Sequence, residues 1–441
     1  MMLLKINRYF RFMLPVFGIL VAGTAKSETL PSDSLSLKSI IEEVTTNHPA
    51  VKKAHEELNV ADAKIGLAEA NYLPNVDFST SYSRIGPVAT IHIPDMGSFS
   101  FVPHDNYSAA INVNQTVYDF GRTDKAVQLE KQGKELTRQT VEQVKQKLSQ
   151  TVIANYYTLV YLQEAIKIKD EQLKTLKEHL DRVQKKQETG SATQYEILTT
   201  EVRISAIENQ KTDLETARLV QVCQLNSLLG QPENTAQQVR KDLTVANPDL
   251  KEDTLIEAAM QNRDEMKLAR EKARLAGLRL NYTSLQNKPV VNAFLSGGIK
   301  DGYTPYIYDP KANFTLGFGM KVPIFDGKRS KYNVKQAESA ILSNDQDTEI
   351  ARRGIVNEVV EAEANLKASA KKVAQSELQL KQATKAYSLA QAKFDAGVIT
   401  NLELIEGSTA VSESRLQLLK AKIDYTGSLY KLKSAVGERL Y

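Results

Sequence analysis

Apolar and polar positions follow two different periods along this chain. From Phe314 the apolar residues fall on every second position, at Phe314, Leu316, Phe318, Met320 and Val322, with Thr315, Gly317, Gly319 and Lys321 between them. A period of two is that of a strand whose faces meet different surroundings. Asn75 to Ser83 alternates through Val76, Phe78, Thr80 and Tyr82, Tyr107 to Val117 through Ala109, Ile111 and Val113, and Val290 to Ile299 more weakly. Elsewhere the period is seven. Val152, Leu159, Ile166, Leu173 and Leu180 lie a heptad apart, with Leu162, Leu176 and Val183 on the adjoining line. Leu402, Thr409, Leu416, Ile423 and Tyr430 repeat the spacing, accompanied by Ile405, Ser412 and Leu419. Heptads bury a narrow seam against another helix, and small polar members suit a face that lines water. Thr123 to Glu188 holds no proline, and as one helix it would run for roughly 100 Å.

The whole pattern occurs twice. Asn47-His48-Pro49 through Tyr72-Leu73-Pro74 has its counterpart in Asn262-Arg263-Asp264 through Asn287-Lys288-Pro289, a shift of 215 positions. Tyr118-Asp119-Phe120-Gly121-Arg122 parallels Phe325-Asp326-Gly327-Lys328-Arg329, and Thr189-Gly190 parallels Ala396-Gly397, now shifted by 207. The first copy therefore carries about eight extra residues between Pro74 and Tyr118, and the repeat is too long for a solenoid. Each copy predicts a helix (Leu37 to Tyr72, Thr254 to Leu285), two strands around a loop, a long helix, a glycine turn and another long helix. The expected division is a first repeat over 28–230, a linker over 231–252 and a second repeat over 253–441.

The two glycine turns carry their own instructions. Gly190 and Gly397 suit the left-handed position that closes a helix. Thr193-Gln194-Tyr195-Glu196 and Thr400-Asn401-Leu402-Glu403 follow, each a capping box in which threonine and glutamate satisfy each other's backbone donors. Each half thus ends in a tight helical hairpin.

The amino terminus changes the setting. Lys5, Arg8 and Arg11 precede the apolar run Phe12 to Ala22, with small residues at Gly23, Ala25 and Ser27. This is the layout of a secretory signal peptide over 1–27. Beyond it no stretch approaches the roughly 18 apolar residues of a membrane-spanning helix, so entry into a bilayer requires a closed barrel. The strand candidates have the length of a tilted crossing. Four strands hardly close a barrel alone, whereas three chains would pool twelve, an even number in the usual range. The loops Arg84 to Asn106 and Lys300 to Ala312 would face the cell exterior.

Charge and candidate chemistry narrow the function by exclusion. The net charge of +4 is small for 441 residues, and acids and bases alternate, leaving no nucleic-acid footprint. Cys223 is alone and cannot form an intrachain disulfide. The five histidines lack metal-ligand spacing, His48 and His55 included, and no phosphate loop or nucleophile motif is present. We expect no enzyme, metal or cofactor. The rival class is a periplasmic coiled-coil adaptor or scaffold, which would carry one hairpin flanked by compact β-domains.

The duplicated halves, the Leu73-Pro74 helix end, the Phe325-Asp326-Gly327 junction and the Gly397 tip together resemble the TolC outer-membrane efflux family over nearly the whole mature chain. The resemblance implies a mainly α fold with membrane β. It implies a homotrimer with a twelve-stranded barrel in outer-membrane lipid and a long helical coiled-coil tunnel across the periplasm. It also implies service as the exit duct of a tripartite efflux or type I secretion system. A periplasmic adaptor protein and an inner-membrane transporter would meet it at the hairpin tips, around Gly190, Thr193, Gly397 and Thr400. Glu403 and Glu406 fall where the family places an acidic ring at its narrowest point. Phe394 falls on the position of a gate tyrosine and Ile399 on that of a gate arginine. Phenylalanine has no hydroxyl and isoleucine no charge, so the expected closure is more apolar than the family's.

Overall fold

The computed structural model describes residues 35–243 and 252–441. The signal peptide expected over 1–27 and part of the linker expected over 231–252 lie outside the described residues.

Each half opens with a helix broken once. In the first, α1 (Leu37–Asn47) and α2 (Pro49–Glu69) meet at His48, where the sequence pattern predicts one continuous helix. Pro49 has no N–H and disfavours helical backbone in the residue before it, so it serves better as the first residue of a new helix. A single 3-10 turn, Ala70–Tyr72, ends the segment before Pro74. The first copy continues with strand β1 (Asn75–Arg84), a hairpin of β2 (Thr90–Ile93) and β3 (Gly97–Ser100), and β4 (Asp105–Tyr118). The small hairpin occupies the loop that holds the extra residues, and its strands are too short for alternation to reveal. Then come α3 (Arg122–Glu188, 67 residues) and α4 (Gln194–Leu229, 36 residues).

The second half repeats this order with α5 (Glu252–Asn262), α6 (Asp264–Leu285), β5 (Val290–Lys300) and β6 (Lys311–Lys321). It ends with α7 (Arg329–Asp395) and α8 (Asn401–Val436), again 67 and 36 residues long. The break between α5 and α6 falls at Arg263, the counterpart of His48, although no proline follows it.

Four columns stand side by side. The large sheet runs β1-β4-β5-β6, every pair antiparallel. Near the strands, α3 sits between α2 and α6, with α7 beyond α6; Lys131–Glu69 and Lys134–Asp62 tie α3 to α2, and Gln132 donates to Glu271 of α6. Further along, α3 sits between α4 and α8, with α7 beyond α8. The strip is therefore bounded by β1, α2 and α4 on one side and by β6 and α7 on the other.

The short helices form a collar around its middle. Ile40 and Val44 of α1 pack on Val152, Tyr156 and Leu159 of α3 and Leu225 of α4, all buried. Leu255 and Ala259 of α5 pack on Ile355 and Val359 of α7 and Tyr425 and Leu432 of α8. Burying each of the larger of these side chains is worth roughly 1.5–3 kcal/mol, so the collar anchors the long helices at mid-height. Leu35 pairs as a bridge with Val239, and the Tyr156 hydroxyl donates to the Arg240 carbonyl at 2.8 Å, tying residues that follow α4 back to α3.

Candidate functional site

The sheet has two chemically distinct faces. Pairing sets Phe78 opposite Ile111, Ile111 opposite Gly297 and Gly297 opposite Phe314. The same face carries Val76, Val113, Leu295 and Leu316 in the next row but one. Phe318 is 74% exposed there and Leu316 67%. A largely apolar surface on the outside of a sheet is what lipid requires. The opposite face bears Asp77, Asn112, Ser296 and Thr315 in one row. Asn112 Nδ2 donates to Asp77 Oδ2 and to Ser79 Oγ, both at 2.9 Å, while Ser296 Oγ donates to Asn112 Oδ1 at 2.8 Å. Polar groups that bond one another across three strands suit a water-facing wall.

Glycine lets the strands pack closely. A Cβ on Gly298 would lie 2.1 Å from the Ala109 carbonyl oxygen, and one on Gly317 would lie 2.5 Å from the Phe294 ring. Outside β1 and β6 no further strand pairs, among the described residues, so both edges of the large sheet expose backbone donors and acceptors. Bare edges of this kind cannot face hydrocarbon.

Where strand becomes long helix, each half uses two successive left-handed residues: Phe120 and Gly121 (φ +58° and +82°), Gly327 and Lys328 (φ +69° and +68°). The aspartate just before each pair caps the helix. Asp119 accepts from the Gly121 and Thr123 amides at 3.0 and 2.7 Å and from the Thr123 hydroxyl at 2.6 Å. Burial pushes the Asp119 carboxyl up, but these hydrogen bonds outweigh it and hold the group below the usual carboxylate range. Asp326 accepts from the Ser330 amide at 2.8 Å and from its hydroxyl.

Far from the sheet, the helices meet in a seam. Val152, Leu159, Leu162, Leu173, Leu176 and Val183 of the heptad lines are buried, while Ile166 and Leu180 are half-buried. In α8 the companion line Ile405, Ser412 and Leu419 is buried. The line predicted as primary lies nearer the rim: Thr409, Leu416, Ile423 and Tyr430 are half-buried and Leu402 is 58% exposed. Polar rungs interrupt the seam, with Ser412 Oγ donating to Gln172 at 2.7 Å and Arg203 to Thr409 at 2.8 Å.

At the tips, Gly190 and Gly397 adopt φ of +75° and +73°. Both capping boxes are formed: Thr193 N donates to Glu196 Oε2 and Thr400 N to Glu403 Oε2, each at 2.7 Å. Glu403 is thus engaged locally, and the Thr400 backbone and side chain hold its carboxyl below the usual range. Glu406 is exposed on the same helix and Ile399 is half-buried in the turn. Phe394 turns toward the first hairpin, its ring 5.3 Å from that of His179 with the Lys186 ammonium 4.4 Å from its centroid.

Two residues here escaped the sequence reading. His179 is 4% exposed and Asn401 is 2% exposed. His179 Nε2 lies 2.5 Å from Asn401 Oδ1, and Asn401 Nδ2 donates to the Glu196 carbonyl at 3.2 Å and Thr200 Oγ1 at 3.1 Å. One amide thereby joins α8 to both helices of the first hairpin. The available signal was His179's place one heptad beyond Gln172, another buried polar residue of this seam.

Comparison with known proteins settles the family. The family model for outer membrane efflux proteins matches residues 40–231 and 255–438, one match per half. The chain belongs to the outer membrane efflux protein family. This family member is 21% identical to outer membrane protein TolC of Vibrio cholerae serotype O1, over 96% of this chain and 95% of that one. It is 23% identical to alkaline protease secretion protein AprF of Pseudomonas aeruginosa, over 89% and 82% of the two chains. Among solved structures, the outer membrane protein VceC of Vibrio cholerae superposes with a TM-score of 0.75 at 16% identity, over 92% of this chain and 97% of that one. The Campylobacter jejuni CmeC outer membrane channel superposes with a TM-score of 0.76 at 16% identity, over 91% and 85%. The fold is TolC-like, and the protein is an efflux channel subunit of the outer membrane that extends into the periplasm.

Proposed function

We propose that three copies of this chain join edge to edge into one water-filled duct, the outer-membrane exit of a tripartite efflux or type I secretion system. The observation that carries this reading is the sheet with a lipid-type face, a polar face and two bare edges. Pairing β1 of one copy with β6 of the next, and α2 and α4 with α7, supplies the missing partners on both sides. Three copies give twelve strands, and their apolar faces then point outward together.

In this arrangement the hairpin tips around Gly190, Thr193, Gly397 and Thr400 surround the periplasmic opening. They are the place for a periplasmic adaptor and an inner-membrane transporter to engage. Glu403 and Glu406, once per copy, would put negative charge around the narrowest passage, favouring cations. Phe394 and Ile399 line the same turn and make its closure partly apolar. The duct performs no chemistry, and the energy for export comes from the transporter.

The test is assembly and conductance. The protein should require detergent rather than salt for extraction, run as a trimer in mild detergent and form pores in planar lipid. A stable monomer without pores would defeat the proposal, and release by salt would favour a peripheral scaffold.

A further inference from the structure

We infer that His179 and Asn401 form a proton-sensitive latch that holds the two hairpins together at neutral pH and lets the periplasmic end loosen in acid. The inference rests on the channel reading above and adds a regulatory element to it.

The hydrogen bonds fix the state of the ring. Thr200 Oγ1 donates to the Glu196 carbonyl at 2.7 Å, so its oxygen is free to accept from Asn401. Asn401 Nδ2 thus faces two acceptors, the Glu196 carbonyl and Thr200 Oγ1, and the amide can only present its oxygen to His179. That oxygen is an acceptor, so the proton of the neutral imidazole sits on Nε2. Nδ1 is then a bare lone pair, and it is buried without a hydrogen-bond partner.

A second proton has to go on Nδ1, where nothing accepts it. Among the charged groups around the ring, the cations outnumber the anion. On α3 itself Arg182 and Lys186 are cations; α7 contributes the Phe394 ring and a single anion, Asp395. From α8 comes the neutral Asn401, and from α4 Thr200 and the Glu196 carbonyl. The Glu196 carboxylate is already bound to Thr193 in its own cap. Burial, aided by Arg182 and Lys186, holds His179 below the usual imidazole range, against the opposing pull of Asn401 and Asp395.

Linkage gives the sign. In the latched state the ring binds a proton poorly; once the hairpins part and water reaches it, its pKa returns to about 6.5. The latch is therefore at full strength above about pH 6.5. Below that it weakens about tenfold per pH unit, until the depressed value of the latched state is reached.

Single-channel recording in planar lipid tests this, with the periplasmic side taken from about pH 7.5 to about pH 5.5, across the ordinary imidazole value. Wild-type open probability should rise about tenfold per unit below pH 6.5. His179→Gln, which keeps an N–H donor but cannot titrate, should lose this response, and Asn401→Ala should raise opening throughout. A His179→Gln channel that follows the wild-type curve would overturn the latch and assign the response to the carboxylates at the tip. Hydrogen exchange in the unmodified trimer gives a check free of folding effects. Amides of 401–410, corrected for intrinsic rate, should exchange faster in acid, and unchanged protection would also overturn the latch. Absence of pores in every variant at every pH would instead remove the channel reading itself.

Discussion

His48 and Arg263 hold the same backbone conformation, φ −62° and ψ 136° in one, φ −61° and ψ 134° in the other. Each is the joint between the two short helices of its half, but the chemistry that makes the joint differs. Pro49 imposes it after His48. Arg263 is held by its side chain, which donates to Glu265 at 2.8 Å, to Glu358 of α7 at 2.6 Å and to the Ser434 carbonyl of α8 at 3.3 Å. Gly437 closes α8 directly against this joint, where a Cβ would come within 2.7 Å of the Arg263 amide nitrogen.

The two joints should respond unequally to mutation. Arg263→Ala removes charge-assisted hydrogen bonds to two neighbouring helices and should cost about 1.5–3 kcal/mol. Pro49→Ala should cost no more than about 1 kcal/mol, mainly by freeing the unfolded chain. Thermal melts of the detergent-purified protein will rank them, and an equal loss would refute the asymmetry.

The two faces of β6 should tolerate charge differently. Leu316 and Thr315 are neighbours in sequence but lie on the apolar and polar faces. Leu316→Arg should cost about 2–4 kcal/mol at mid-membrane depth and reduce the amount assembled in the outer membrane. Thr315→Arg should assemble normally and change conductance. Quantifying membrane-inserted trimer for both variants tests the orientation of the sheet.

Lys328 adopts a left-handed conformation that costs a side-chain-bearing residue energy. Lys328→Gly should therefore stabilise the strand-to-helix junction by up to about 1 kcal/mol. Gly327→Ala, at φ +69°, should destabilise it by about as much. Denaturant titration of the two variants should move in opposite directions.

The cap at the second tip should be robust to acid. Glu403 has a lowered pKa because Thr400 donates to it from backbone and side chain. Its contribution is complete above the ordinary glutamate value of about 4.3 and disappears only as pH falls through the lower folded-state value. In the His179→Gln protein, where the neighbouring imidazole no longer titrates, protection of the first α8 amides should persist to below that point. Thr400→Ala should cost about 1 kcal/mol at the cap and remove the protection at neutral pH, as hydrogen exchange can measure.

Charge at the opening can be tested separately. Glu406 is exposed and free of the cap, so Glu406→Ala should weaken cation selectivity with little effect on stability. Reversal potentials in a salt gradient measure this, and unchanged selectivity would place the residue away from the narrow passage.

The sequence was readable wherever one local rule decided the outcome. Alternation located β1, β4, β5 and β6 to within a few residues, and the Thr193 and Thr400 boxes formed as their spacing predicts. The His48 joint did carry a local signal, Pro49, although periodicity alone predicts one helix through it; the Arg263 joint carried none, since it depends on Glu358 and Ser434, far away in the chain. The His179–Asn401 pair was hidden for the same reason: its residues are 222 positions apart, and each resembles ordinary helix surface on its own. The β2–β3 hairpin was missed because its strands are only four residues long.

The strip's left and right margins are unlike each other, so the contact that joins two protomers also offers a third a place to dock. Nothing in such head-to-tail growth stops it except geometry: the sheet's coil must bring the last free margin round to meet the first. Subunit number is thereby a matter of curvature. A substitution that flattened the staves would yield open chains of protomers instead of a sealed ring.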